Sequence, residues 1–456
     1  MKSLRVAWFF AALLFVPVIH AQEFQAGVGR ADITPAEPIR LAGYASRNKP
    51  SESVEQHLFV KALALRDAAG ATTLILTADT IGTPRWFNDQ LAARIEKELQ
   101  ISRARFLFSC SHSHSTPVVH GCLEDMYGLQ GQEADVVKRY SEFFLQKSFE
   151  AAQAALKDLA PAKLSFGRGN AAFAANRRFF GARGVQFGVN PTGVVNHEVP
   201  VLRVERGDGS LKSLLVGYAC HCTTPGADYK VCGDWAGYAQ EYLELTYPGA
   251  TAMIVIGCGA DQNPEPRTGH FFCRQHGLAL AGAVARVLNN EPWTKLSGAI
   301  GAAFDRVELP LDKLPDKAYY ETKAADKNPA IARYGKRYVG MLERGEKIMT
   351  SYPCPLQVLR IGTDLTLVAI GGEVCVDYSH RLRRELPNER LWVAGYCNDV
   401  FAYVPSMRIL TEGGYEADFN LIYYGIPTRF AMTVEDTLVK KAVQLVQQAA
   451  PGGAGK

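Results

Sequence analysis

The chain has 456 residues, 47% hydrophobic and 21% charged, a balance that excludes a disordered, collagen-like or coiled-coil protein and leaves apolar bulk for a large core. Its formal charge of +4 comes from basic residues scattered along the chain, so the basic face of a nucleic-acid binder is missing. Even the group Arg381-Leu382-Arg383-Arg384 reads as the solvated side of a helix.

Residues 1–21 read as an export signal. Lys2 and Arg5 precede the apolar stretch Val6–Ile19, and Ala21 is the small residue expected before a cleavage site. That stretch is shorter than the ~20 apolar residues of a membrane helix, and no later segment supplies such a run. The expected product is therefore a secreted or periplasmic protein, with 48 basic against 46 acidic residues once Lys2 and Arg5 are removed.

Beyond the leader, short apolar runs read as strands at Val60–Leu65, Thr73–Ala78, Arg105–Cys110, Val199–Val204, Ser213–Ala219, Ala252–Gly257 and Leu365–Ile370. Longer periodic segments read as helices at Trp86–Leu99, Ala134–Leu159, Ala236–Thr246, Phe271–Leu288, Val374–Leu386 and Val434–Ala449. The alternation predicts an α/β fold of mixed sheets with surrounding helices. No Pro/Gly/Ser-rich linker divides residues 22–450, which are expected to form one large catalytic domain, followed by a disordered tail at 451–456. The lysine-rich interval Pro310–Tyr352 reads as solvated surface helix, with a lid as the other reading, and Phe179, Phe180 and Phe187 read as core. Ten cysteines in an exported chain predict some disulfides, and Cys220 and Cys222 read as structural.

Five places carry polar residues at the end of an apolar strand. In Ser109-Cys110-Ser111-His112-Ser113-His114-Ser115, strand alternation puts His112 and His114 on one face, as a metal-binding or catalytic pair. The segment Ala219-Cys220-His221-Cys222-Thr223-Thr224-Pro225 repeats the pattern, and metal sites are assembled from strand ends far apart in sequence. In Gly371-Gly372-Glu373 the carboxylate is either a ligand or a helix-end charge. Tyr403 sits in Asn398-Asp399-Val400-Phe401-Ala402-Tyr403, where taken alone it reads as core. The fifth stretch, Gly257-Cys258-Gly259-Ala260-Asp261-Gln262-Asn263-Pro264, reads as a functional loop or a plain turn.

Taken in order, these residues resemble the neutral, non-lysosomal ceramidase family. The resemblance runs from Gly27-Val28-Gly29-Arg30-Ala31-Asp32-Ile33-Thr34-Pro35 through Leu76-Thr77-Ala78-Asp79 and Ser111-His112-Ser113-His114-Ser115 to Asn176-Arg177. It continues through His221 with Asp234-Trp235-Ala236-Gly237-Tyr238, Gly372-Glu373, Cys397-Asn398 and Tyr403 to Tyr415-Glu416. It implies a zinc ion held by His112, His221, Glu373 and Tyr403, substrate contacts from His114, Arg177 and Tyr415, and a supporting position for Asp79. The family's Gly-Asp-x-Ser-Pro stretch is replaced here by Gly259-Ala260-Asp261-Gln262-Asn263-Pro264, which has no serine.

The implied reaction is hydrolysis of an N-acyl amide, in a lipid or a smaller compound, by water that zinc activates. His114 is then the proton donor to the leaving amine, Asp261 orients water or a substrate hydroxyl, and Asn263 supplies an amide where the family has a hydroxyl. A zinc esterase and a catalytically inactive binding protein are the rival readings.

Overall fold

Apolar residues cover both faces of the central strands, and the two faces meet different partners. In the strand Phe59–Asp67, Val60, Ala62 and Ala64 pack on one side while Leu63 and Leu65 pack on the other. The computed structural model describes residues 24–290 and 292–450, so the predicted leader and tail lie outside the described residues.

The strands of the larger sheet are β1 (Phe24–Asp32), β2 (Phe59–Asp67), β3 (Thr72–Ala78), β4 (Phe106–Cys110), β5 (Ala160–Asn170), β6 (Glu198–Arg206), β7 (Leu211–Tyr218) and β8 (Thr251–Ile256). They lie in the order β8-β7-β6-β5-β1-β2-β3-β4, with the short strand Thr294–Lys295 added beside β5. The β3/β4 and β7/β8 pairs are parallel and the other neighbours antiparallel. A second sheet, β9 (Ile300–Pro310), β10 (Ser351–Ile361), β11 (Leu365–Ile370) and β12 (Leu391–Ala394), ends in the parallel pair β11/β12.

The two sheets stack face to face. Leu63, Ile75, Leu107, Leu215 and Val255 of the larger sheet share a core with Leu359, Leu365, Leu367 and Trp392 of the smaller. Helices cover both outer faces: α1 (Arg85–Leu99), α2 (Gly131–Lys157), α3 (Asp234–Thr246) and α4 (His270–Asn290) on the larger sheet, and α7 (Asp377–Glu385) and α8 (Val434–Gln448) on the smaller. The predicted α/β class is thus realised as four layers. Helix α2 lies directly on β1, where a Cβ at Gly27 or Gly29 would come within 2.0 Å of Ala155 O or 2.1 Å of Ala151 O. Only glycine permits that approach.

Three expectations change. Between β9 and β10, α5 (Lys317–Ala324) and α6 (Pro329–Glu343) bury Tyr320, Ile331, Tyr334 and Tyr338 rather than lying as freely solvated helix. Their phenols donate to Pro427 O and Gly425 O, anchoring the pair to the core. Phe179, Phe180 and Phe187 are 48%, 55% and 55% exposed instead of core: they lie on the outer part of the hairpin Ala174–Gly181/Gly184–Asn190, whose Asn176, Arg177 and Arg178 are the buried part. All ten cysteines lie among the described residues, buried and in the thiol form, and Cys220 and Cys222 are packed in the core.

Candidate metal centre

Every one of the five polar segments follows the C-terminal end of a parallel-paired strand: β4, β7, β8, β11 or β12. Ligand-binding residues collect at that edge in open α/β sheets. Short ladders beyond the strand ends then draw the segments together. Ser113 pairs with Cys222, Ser109 with Cys397, Gly257 with Ala394, and Gln262 with Asn176. Glu373 lies directly opposite Tyr403 in a two-residue parallel ladder. That ladder is why α7 starts at Asp377 and not at the predicted Val374.

The result is one compact polar cluster. Glu373 Oε2 lies 3.1 Å from His112 Nε2 and 3.0 Å from His221 Nε2, and His221 Nε2 lies 3.1 Å from the Tyr403 hydroxyl. His114 Nε2 is 3.2 Å from His112 Nε2. His112, His114 and His221 form a group whose ring nitrogens are close enough to hold one ion. Strand alternation does not carry the chain this far: β4 stops at Cys110 and His112 takes a left-handed φ of 58°, so His112 and His114 meet through a turn. A left-handed histidine is strained, and such strain concentrates at functional sites.

The donor chemistry fits a cation. His112 Nδ1 is bonded to Ile81 O at 2.6 Å and His221 Nδ1 to Gly259 O at 2.8 Å, which places a ring proton on each Nδ1 and turns each Nε2 inward. Two imidazole nitrogens and a carboxylate oxygen converging at about 3 Å are the donor types that a divalent cation takes. Burial and the nearby Arg177 guanidinium depress His221 to about 4, so it is a neutral ring at neutral pH. Burial, with His112 and His221 beside it, holds His114 well below the ordinary imidazole range. Burial alone would raise Glu373, yet the His112 and His221 rings hold it well below the carboxylate range. Its other oxygen, Oε1, accepts from the Tyr424 hydroxyl at 2.5 Å.

Arg177 closes one side of the cluster. Its Nη2 donates to the Tyr403 hydroxyl at 3.0 Å, Nη1 to Asn263 Oδ1 at 3.3 Å and Nε to Glu416 Oε1 at 2.8 Å. Tyr415 lies against Tyr403, with ring centroids 5.4 Å apart, and against Phe187 at 4.9 Å. On the His114 side the neighbours are Tyr44, with ring centroids 5.0 Å apart, and Gly43, where a Cβ would stand 2.3 Å from His114 Nδ1.

Two expectations are corrected by this geometry. Asp261 does not join the cluster: its Oδ1 accepts the Val376 N–H at 2.9 Å beside the start of α7, and Oδ2 faces Arg408 at 3.7 Å. Asp79 bonds to Phe59 N–H and Gln240 Nε2, and so supports the β2/β3 and α3 packing rather than a cluster histidine. Other neighbours drew no role from the sequence. Tyr396 stacks over His112 with centroids 4.6 Å apart, Tyr424 holds Glu373, and Trp235 Nε1 donates to His221 O. Glu416 alone had a usable signal, since the adjacent Arg177 and Arg178 demand a buried counter-charge, and it binds both.

An α/β sandwich with buried histidines, a glutamate and a tyrosine gathered at the C-terminal strand edge defines a candidate metal-site protein. The sequence profile of the neutral/alkaline non-lysosomal ceramidase N-terminal region matches residues 24–263. The chain belongs to that family of hydrolases. A comparison with curated protein sequences finds no match. Among solved structures, a ceramidase complexed with C2 superposes with a TM-score of 0.71 at 17% identity, covering 95% of this chain and 77% of that one. The neutral ceramidase from Pseudomonas aeruginosa gives 0.69 at 18%, covering 95% and 76%. At such identities the shared property is the fold, and it extends past the profile to include Glu373, Tyr403 and Tyr415.

Proposed function

We propose that this ceramidase-family hydrolase is a zinc-dependent amidase that cleaves the N-acyl amide bond of a lipid or a smaller N-acylated compound. The observation that carries the reading is the convergence of His112 Nε2, His221 Nε2, Glu373 Oε2 and the Tyr403 hydroxyl, with both Nδ1 atoms tied to backbone carbonyls. Those four groups would hold the ion. Zinc supplies Lewis acidity there, polarising a carbonyl and bringing the pKa of water from 15.7 to roughly 7.

The remaining chemistry belongs to the chain. His114, kept neutral by burial, takes the proton that the attacking water loses at Nε2, the atom facing the cluster, and returns it to the departing amine. Arg177 keeps the Tyr403 hydroxyl in place and puts a buried positive charge where the carbonyl oxygen becomes an oxyanion. Glu416 fixes the Arg177 guanidinium from behind, and Asn263 orients its other edge. Tyr415 and Phe187 form the apolar wall beside the reacting carbonyl. Closure around the buried histidines excludes bulk water, which strengthens each of these interactions. Export through residues 1–21 and a single catalytic unit over 22–450 complete the proposal, supported by the leader pattern and the lack of a linker.

The test is metal analysis of the purified protein, followed by assays on N-acyl sphingoid, N-acyl amino acid and N-acetyl sugar substrates alongside matched esters. One zinc per chain and amide cleavage that chelation removes and zinc restores are expected. Cleavage of esters alone would replace the amidase reading by the esterase one, and a metal-free, inactive protein would end it.

A further inference from the structure

A second group of reactive side chains lies away from the candidate metal centre, at the first turns of α3 and α4. Cys232 precedes α3 by two residues and Cys273 sits in the first turn of α4. Both are fully buried and pack side by side in a small cluster with Tyr238. The Asp234 N–H points at the Cys232 sulfur at 3.3 Å, as a donor to a thiolate would. Beside them His270 is bonded through Nε2 to Asp228 Oδ2 at 2.6 Å. Its Nδ1 is buried without a well-aligned hydrogen-bond partner among the described residues.

The charges follow from these contacts. Asp228 first, then Cys232, raise His270 to about 10, so its imidazole is protonated at neutral pH. The adjacent Cys273 first, and then His270, oppose burial and hold the Cys232 thiol below its ordinary range. Cys273, whose thiol donates to Gly269 O at 3.6 Å, is driven the other way by the neighbouring Cys232 and by burial. A carboxylate–imidazolium pair beside a thiol held below its ordinary range, next to a second thiol, is an arrangement in which one sulfur attacks and the other resolves.

We propose that Cys232 and Cys273 form a dithiol redox site that closes to a disulfide by exchange with a small-molecule disulfide such as oxidised glutathione. The Cys232 thiolate attacks one sulfur of the reagent, breaking its S–S bond and releasing one glutathione thiolate. Cys273 then gives up its proton and attacks the Cys232 sulfur, expelling the second glutathione. In sum the protein loses two protons and two electrons, and the reagent leaves as two thiols. The exposed Phe271, on the same turn of α4 as His270 and Cys273, puts that turn at the protein surface, where local opening admits the reagent.

The site also touches the histidine loop. Cys232 N–H donates to Ser115 O at 2.9 Å and Ser113 Oγ donates to Cys232 O at 2.8 Å, so closing the disulfide tethers the His112–His114 segment to α4. The inference is independent of the metal and of the reaction proposed above.

It is tested on the folded full chain. After treatment with oxidised glutathione, the protein is denatured in iodoacetamide, digested and analysed by mass spectrometry. The Cys232 and Cys273 peptides are expected joined, two hydrogens lighter than their sum, with the other eight of the ten cysteines alkylated. With dithiothreitol in place of the disulfide, all ten are alkylated. In Cys273→Ser, which removes the resolving sulfur, Cys232 is expected to retain one glutathione. Separate alkylation of Cys232 and Cys273 after oxidation, or a bridge from Cys232 to another cysteine, would overturn the assignment.

Discussion

Glu373 and Asp261 are both buried carboxylates a few residues beyond a strand end, and the fold gives them opposite surroundings. Glu373 meets two imidazoles and a phenol and is held well below the carboxylate range. Asp261 has one backbone N–H and a distant guanidinium, and burial drives it up to about 7. Equal burial thus yields a permanent anion at one turn and a carboxyl that is half protonated near neutrality at the other. What lies opposite, not depth, decides which acid can hold a cation.

The strongest way to break this contrast is to strip the imidazoles from Glu373. His221→Ala removes an inward-facing ring nitrogen that contacts both Glu373 and Tyr403. Metal content measured by atomic emission should vanish, and turnover should fall by roughly 10³-fold or more, the scale of a lost Lewis acid. His114→Ala should spare the metal and lower turnover by about 10²-fold, as expected for a proton-transfer group. Equal metal loss in both variants would place His114 among the ligands.

Tyr424→Phe sharpens the comparison more gently. It deletes the donor to Glu373 Oε1 and should weaken zinc binding about 10-fold in a competition titration with a chelator, while the protein stays folded. The smallest effect on activity belongs to Asp261→Asn, which keeps an acceptor for Val376 N–H and should leave turnover within about twofold, since neutral substitutions away from the chemistry change little. Its effect is on pH dependence. Because the folded carboxyl titrates near 7 and an unfolded one near 3.8, the native state binds more protons between those values. Stability therefore falls as pH rises through that window, and chemical denaturation of Asp261→Asn should show this slope flattened.

The elements most legible in the sequence were the strands buried on both faces, such as β4 and β11, because their unbroken apolar runs leave no other reading. The same runs made His112, His221 and Glu373 conspicuous where they ended. β10 has no counterpart among the predicted strands: Pro353 and Pro355 interrupt its apolar run, although both pair across to β9. Tyr396 and Tyr424 carried no signal at all, since a tyrosine among apolar residues is ordinarily core. Whether Asp261 or Asn263 faces Arg177 depends on a three-residue ladder between Gln262–Pro264 and Ala174–Asn176, which nothing local announces. The exposed phenylalanines misled for the converse reason: hydrophobicity reports a preference for burial but not whether a neighbouring layer exists.

The donor atoms come from both halves of the stack: His112 and His221 follow strands of the larger sheet, Glu373 and Tyr403 follow strands of the smaller. Only the assembled sandwich presents all four, so an ion held there would act on the denaturation equilibrium by mass action. At a free-ion concentration one hundred times the dissociation constant, that linkage would add about 2.7 kcal/mol of resistance to unfolding, independent of any reaction at the site.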